Sequence, residues 1–199
     1  MKKFTTTVVV LLSTALFLSS VSSRRPNQPT PRESKIVHQD TSVVDTISTI
    51  DRQFETYRTR AEVYLSQPRF KASPVTADLL ATCAQVSWTR YKVLVPLELA
   101  LVQCLIETGM GLGGRNPKTN PFNIGEWDSG TYGKFKTIKD GIQAYYDLIA
   151  SRYLVNGQTV DGLFTLFKDK QGYLYATTTY GQYIKPHYYQ IKAWIDQRL

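Results

Sequence analysis

The residues whose types and spacing could do chemistry fall in one stretch, residues 96–128, which reads PLELALVQCLIETGMGLGGRNPKTNPFNIGEWD. Pro96 suits a first helical position, and Leu97, Leu101 and Leu105 recur every fourth residue, so a helix is expected to start there. Gly109 supplies its stop. Glu107 then falls in the last turn, where the negative end of the helix dipole disfavours a second negative charge. A carboxyl group in such a place is a candidate for staying protonated near neutral pH, as a general acid must. Cleaving a glycosidic bond needs that proton on the leaving oxygen, together with stabilisation of the positive charge that develops on the sugar. Glycines at 109, 111, 113 and 114 leave the flank of Glu107 open to the close approach of a polymer. Glu126 and Asp128, in the turn that follows, are candidates for the second role, whereas Asp140 fits better as a helix cap. Trp127, Tyr132, Phe135 and the tyrosines between 173 and 183 could stack on sugar rings.

The elements that must hold these groups are mostly helical. Ile47, Ile50, Phe54, Tyr57, Ala61 and Tyr64 recur in steps of three and four, which predicts one amphipathic helix over residues 41–67, packed against the domain. A second helix is expected over 75–91, with Val75, Leu79, Cys83 and Val86 on its inner face. Its closeness in sequence to the Pro96 helix implies an antiparallel pair. Residues 130–138, GTYGKFKTI, alternate weakly and suggest a short hairpin or extended lobe. Asp140 is then expected to cap a helix carrying Ile142, Tyr146, Ile149 and Tyr153. Another starts near Thr159 with Val160, Leu163, Phe164 and Phe167, residues 171–183 read as an ordered loop, and a last helix begins near Pro186.

Composition bounds the remaining possibilities. The 199 residues suffice for one domain with appendages, and 42% hydrophobic and 12% aromatic residues, including 13 Tyr, are enough to build a core and still furnish a groove. A net charge of +8, spread over both halves, fits weak attraction to a polyanion. No recognition helix or basic-aromatic alternation accompanies it, so nucleic acid is not the expected partner. Residues 1–23 read as an export signal: Lys2 and Lys3, an apolar run, then small residues around Ser22 and Ser23. Cleavage is expected, with no stable membrane insertion afterwards, although the apolar run approaches the length of an uncleaved anchor. Residues 24–40, with Pro26, Pro29 and Pro31, read as a flexible linker, which leaves the amphipathic helix near 41–69 and a catalytic domain over 70–199. Cys83 and Cys104 could form one disulfide or remain two buried thiols. His38 and His187 stand far apart, so no metal site is implied, and no cofactor is expected.

Three motifs in order resemble a known family. Residues 103–111, QCLIETGMG, followed by Asn120-Pro121-Phe122-Asn123-Ile124-Gly125 and later by Tyr175-Ala176-Thr177 with Tyr180 and Tyr183, are similar to the bacterial glucosaminidase family of peptidoglycan hydrolases, which includes flagellar muramidase-type and autolysin domains. That family shows Glu-Ser-Gly-x-Gly, Asn-Asn-Leu-Phe-Gly-Ile and Tyr-Ala-Thr-Asp-Pro-x-Tyr at the corresponding places. The likeness spans roughly residues 75–198. Here Thr108 replaces Ser, Asn123 stands at the turn's Gly position and can adopt left-handed angles, and Thr178-Thr179 replaces Asp-Pro. The resemblance implies a mainly α, lysozyme-like domain with a small β or extended lobe. It implies an exported endo-β-N-acetylglucosaminidase with Glu107 as general acid, while Glu126, chosen for its place in the turn that follows, is the candidate second catalytic group. Asn120, Phe122, Asn123, Trp127, Tyr132, Tyr175 and Tyr180 are its candidate contacts with the glycan strand. A lytic transglycosylase on the same polymer and a non-catalytic wall-binding module are the alternatives, separable by the mass of released fragments or their absence.

Overall fold

The computed structural model describes residues 41–113, 118–125, 134–165, 175–176 and 178–199, with side chains undescribed at 41–48 and 178. The candidate signal and linker therefore lie outside the described residues, as do Glu126, Trp127, Asp128 and Tyr132. All described residues belong to one compact unit. Among the described residues six α-helices carry it: α1 (Thr41–Leu65), α2 (Ala77–Tyr91), α3 (Leu97–Thr108), α4 (Ile138–Leu148), the one-turn α5 (Val160–Leu163) and α6 (Thr178–Asp196). A five-residue π-helical stretch, Ile149–Tyr153, continues α4. The described residues contain no strand, so the expected small β lobe is not seen. Within 130–138 the described part enters α4 directly. Thr137 caps that helix, its hydroxyl accepting from the Asp140 N–H while the Asp140 carboxylate accepts from the Thr137 N–H. Asp140 is thus the reciprocal member of a capping box and not the cap itself.

α3 is the axis of the core. Leu97 through Val102 are buried without a break, and Cys104 follows, so the four-residue leucine spacing understates a helix that is covered on every side. Pro96 serves as its N-cap, so the helix begins at Leu97, one residue after the expected start. α3 packs on α6, while α2 lies between α1 and α4, so α2 and α3 do not form the expected antiparallel pair. The inner face of α2 is accordingly Leu80, Cys83, Ala84 and Ser87, rotated from the expected one, with Leu79 and Val86 only partly buried. Small residues at Ala77, Ala81 and Ala84 let neighbouring backbones come close, which hydrophobic spacing alone does not reveal. α1 does pack on the domain: Phe54, Tyr57, Ala61 and Tyr64 all enter the common core.

Several polar groups inside this core pair across helices. Tyr57 Oη meets Tyr146 Oη at 2.7 Å and the Val95 carbonyl at 3.3 Å, and Ser87 Oγ donates to the Tyr146 carbonyl at 3.1 Å, linking α1, α2 and α4. Glu98, 8% exposed, would be costly as a lone buried charge. Arg60 bridges it to Asp196, at 2.7 Å to each carboxylate, and so joins α1, α3 and α6. α6 begins at Thr178 and runs through Pro186, eight residues before the expected start. Its opening turns bury Ile184 and bring the Gly181 backbone so near the Phe164 carbonyl that a Cβ there would lie 2.5 Å from that oxygen. Tertiary contact thus outweighs the local cost of an interior proline.

Cys83 and Cys104 are two separate buried thiols. Burial pushes Cys83 up to about 11 and Cys104 up to about 12, so both hold their protons at neutral pH. The native protein is expected to resist alkylation by iodoacetamide at about pH 8, where thiolate is the reacting form, and to take two labels once denatured. Rapid labelling of the native chain, read by mass, would contradict this packing. At Gly141 a Cβ would lie 2.0 Å from the Thr119 carbonyl. Gly141→Ala is therefore expected to lower the denaturant midpoint: displacing that backbone costs about 1–3 kcal/mol or more, which outweighs the ~1 kcal/mol that Ala gains over Gly within a helix.

Candidate active site

The site begins where α3 ends. Gly109, Met110 and Gly111 follow one another in the left-handed region, at φ of 58°, 66° and 78°, and reverse the chain sharply. Met110 is a non-glycine residue in that region, and its side chain is fully buried. Thr108 fastens the turn. Its hydroxyl accepts from the Gly111 N–H at 2.9 Å and donates to the Pro121 carbonyl at 2.6 Å, tying the helix end to residues 118–125. Asn120 closes that second segment from within, its amide both accepting from the Ile124 N–H at 2.9 Å and donating to the Ile124 carbonyl at 3.0 Å. Asn120 is buried and spends these amide bonds on the loop, so its observed role is structural. Asn123 adopts φ of 49°, the left-handed angle expected at that turn position.

These constraints converge on Glu107. Asn123 Nδ2 donates to Glu107 Oε2 at 3.1 Å, and the Tyr180 hydroxyl, arriving from the first turn of α6, donates to Glu107 Oε1. Burial and the adjacent Glu107 carboxylate push the Tyr180 phenol far above its ordinary value, so it stays protonated and able to donate. Gln103, one turn before Glu107, also hydrogen-bonds the Tyr180 phenol, and this contact lowers the phenol's value in part. Gln103, Tyr180, Glu107 and Asn123 therefore form a single polar row contributed by two helices and a loop.

A cavity of about 200 Å³ opens along this row. Phe122, Ile124, Tyr145, Leu148, Ile149, Tyr153 and Tyr175 complete its lining. Phe122 stacks on Tyr145 with ring centres 3.8 Å apart and planes 7° from parallel, so it forms a wall and is not free to stack on a ligand. Tyr175 packs edge-on against Tyr153. The π-helical stretch places both Ile149 and Tyr153 on the cavity, the kind of register shift that often accompanies functional sites. Of the sequence-derived candidates, Glu107, Phe122, Asn123, Tyr175 and Tyr180 are brought together here. Asn120 supports them from behind, while Phe135 contributes to the core. Gln103 and Tyr145 were not among the candidates. Gln103 is legible in retrospect as the residue one turn before the acid, but nothing in the periodicity separates Tyr145 from its core neighbour Tyr146.

No protein-family model, curated protein or solved structure matches this chain. The site therefore rests on its own geometry. Removing the Thr108 hydroxyl leaves the Gly111 N–H and the Pro121 carbonyl without their partner, so Thr108→Val is expected to cost about 1–3 kcal/mol in chemical denaturation. Thr108→Ser keeps the hydroxyl and should lose only about 0.8 kcal/mol for one buried methyl. Equal stability of the two variants would show that the hydroxyl does not fasten the turn.

Proposed function

We propose that this chain is an exported peptidoglycan hydrolase of lysozyme-like architecture that cleaves the β-1,4 bond after N-acetylglucosamine, with Glu107 as general acid. The observation that carries the reading is the placement of Glu107: its carboxyl group faces an aromatic-lined cavity, and each of its oxygens accepts a hydrogen bond, from Tyr180 or from Asn123. The three resembling motifs supply the parts of that arrangement. Glu107 and Thr108 come from the first, Phe122 and Asn123 from the second, and Tyr175 and Tyr180 from the third. The resemblance lies in short strings, and their meeting around one carboxyl group is independent support for it. The basic surface charge suits an anionic wall polymer, and residues 1–23 suit export.

In this reading Glu107, in its acid form, gives its proton to the glycosidic oxygen as the C1–O bond breaks. The carbonyl oxygen of the sugar's own 2-acetamido group closes on C1 and takes up the developing positive charge. Water then bonds to C1 as the C1–O bond to the acetamido oxygen breaks and the amide is restored, one water proton returns to Glu107, and a reducing end is released. Tyr180 holds the carboxyl group in register and donates to it when it is ionised. Glu107 is the sole carboxylate lining the cavity among the described residues, which suits a route requiring one acid. Glu126 remains the candidate for activating water. The same single acid also suits a second reading, lytic transglycosylation, in which the substrate's 6-hydroxyl replaces water and the product lacks a reducing end.

Glu107→Gln is expected to slow release of fragments from purified peptidoglycan on the order of 10²–10⁴-fold, the range for removing a general acid. Tyr180→Phe should cost about tenfold, the equivalent of one hydrogen bond of about 1.4 kcal/mol. Mass analysis of the fragments separates the readings, since an anhydro-muramic product is lighter than a reducing end by one water. Clearing by Glu107→Gln at the wild-type rate would overturn the assignment, and binding of sacculi without any fragments would favour a wall-binding module.

A further inference from the structure

Three residues that line the cavity each bury a polar atom that makes no hydrogen bond: Gln103 Oε1, Tyr145 Oη and Tyr175 Oη. An unpaired buried polar atom normally carries a free-energy penalty, and native cores hold few of them. Three around one small cavity are a concentrated cost, whereas Tyr57 and Tyr146 in the same core pair with each other. Tyr145 and Tyr175 are held protonated, since burial and then neighbouring phenols push both well above the ordinary range. The cavity wall thus holds one acceptor, the Gln103 carbonyl, and two hydroxyl donors, beside the apolar side chains of Leu148 and Ile149.

We propose that Gln103, Tyr145 and Tyr175 form the recognition pocket for a secondary amide, the 2-acetamido group of the bound sugar. The amide N–H would donate to Gln103 Oε1, the amide oxygen would accept from the phenols, and the methyl group would rest on Leu148 and Ile149. This proposal rests on the glycan-cleaving reading above and deepens it, because it makes the acetamido group the feature by which the substrate is chosen. A sugar bearing a 2-hydroxyl lacks the reach of the amide and would leave part of this set unsatisfied. Discrimination built on buried polar partners is stronger than discrimination by apolar fit. The three atoms are closed off from water in the unliganded chain, so binding has to open the wall around them. The Tyr180–Glu107 hydrogen bond belongs to that wall, and it must open in any case before Glu107 can reach a leaving oxygen.

The test uses the full chain with Glu107→Gln, to prevent turnover, and compares it with the same chain also carrying Tyr145→Phe and Tyr175→Phe. Binding of chitotetraose and of cellotetraose, which has a 2-hydroxyl in place of the acetamido group, is measured by calorimetry, and unfolding temperature by circular dichroism. The expected result is selective: affinity for chitotetraose falls on the order of tenfold or more, any affinity for cellotetraose is unchanged, and the unfolding temperature rises. A merely structural role for the hydroxyls would lower the unfolding temperature. Unchanged affinity for chitotetraose, or an equal loss for both oligosaccharides, would overturn the pocket assignment. Wild-type cleavage of peptidoglycan alongside either result would leave the hydrolase reading standing. If the Glu107→Gln chain bound neither oligosaccharide and the wild type released no fragments, both would fall.

Discussion

The hydrogen bonds of the Thr108 hydroxyl are the constraint on which the site depends. A helix that simply ended at Glu107 would leave its last turn to fray into solvent, with the carboxyl group sampling many rotamers. Instead one hydroxyl takes the Gly111 N–H and reaches the Pro121 carbonyl, so the reversal after α3 and residues 118–125 share a single anchor. Asn123 reaches Glu107 only because that segment is held at this height and because its own backbone turns left-handed. The close passage of Thr119 over Gly141 then fixes the same segment against α4, which carries the aromatic wall. Positioning of the acid is thus shared among α3, the loop and α4, and a disturbance in any one is felt at the carboxyl group.

The surroundings of that carboxyl group are dominated by phenols. Tyr145, Tyr175 and Tyr180 are each shielded from water enough to remain protonated, and Tyr57 and Tyr146 continue the aromatic layer toward α1. Phenols combine a large apolar ring, which fills space and excludes water, with one donor at its rim. A cleft assembled from them is rigid and apolar in its walls yet polar at chosen points, without any further ionised group among the described residues that line it. Such a setting strengthens every electrostatic interaction made by the single carboxyl group inside it.

The sequence made much of this legible, for identifiable reasons. Glu107, Gly109 and Asn123 were readable because helix termination and left-handed turns impose strong local preferences, and the structure shows both. The faces of α1 and α4 were readable from their spacing, since each buries one stripe. α3 and α2 depart from expectation where that logic fails. A helix buried all round has no stripe, and one that packs through alanines presents its neighbours with small residues that a search for large apolar ones passes over. The start of α6 was hidden by Pro186, which usually opens a helix, whereas here the packing of Ile184 and Gly181 carries the helix eight residues further back. The capping role slipped from Asp140 to Thr137 because both members of a capping box are good caps in isolation. Gln103 and Tyr145 could not be singled out, since their importance lies in which atoms they leave unpaired, a property of three-dimensional neighbours alone.

Pro186 also divides α6 into two parts with different mechanical dependence. It has no N–H to offer the Gln182 carbonyl, so the ladder of the helix is interrupted between the turns that carry Tyr180 and those that carry Ile191, Trp194 and Ile195. The later turns are secured by the core and by the Arg60–Asp196 bridge. The earlier ones depend on the packing of Gly181 and Ile184 and on the bond from Tyr180 to Glu107. The opening turns of α6 are therefore secured separately from the scaffold behind them, and their contacts are fewer than those that hold the domain together.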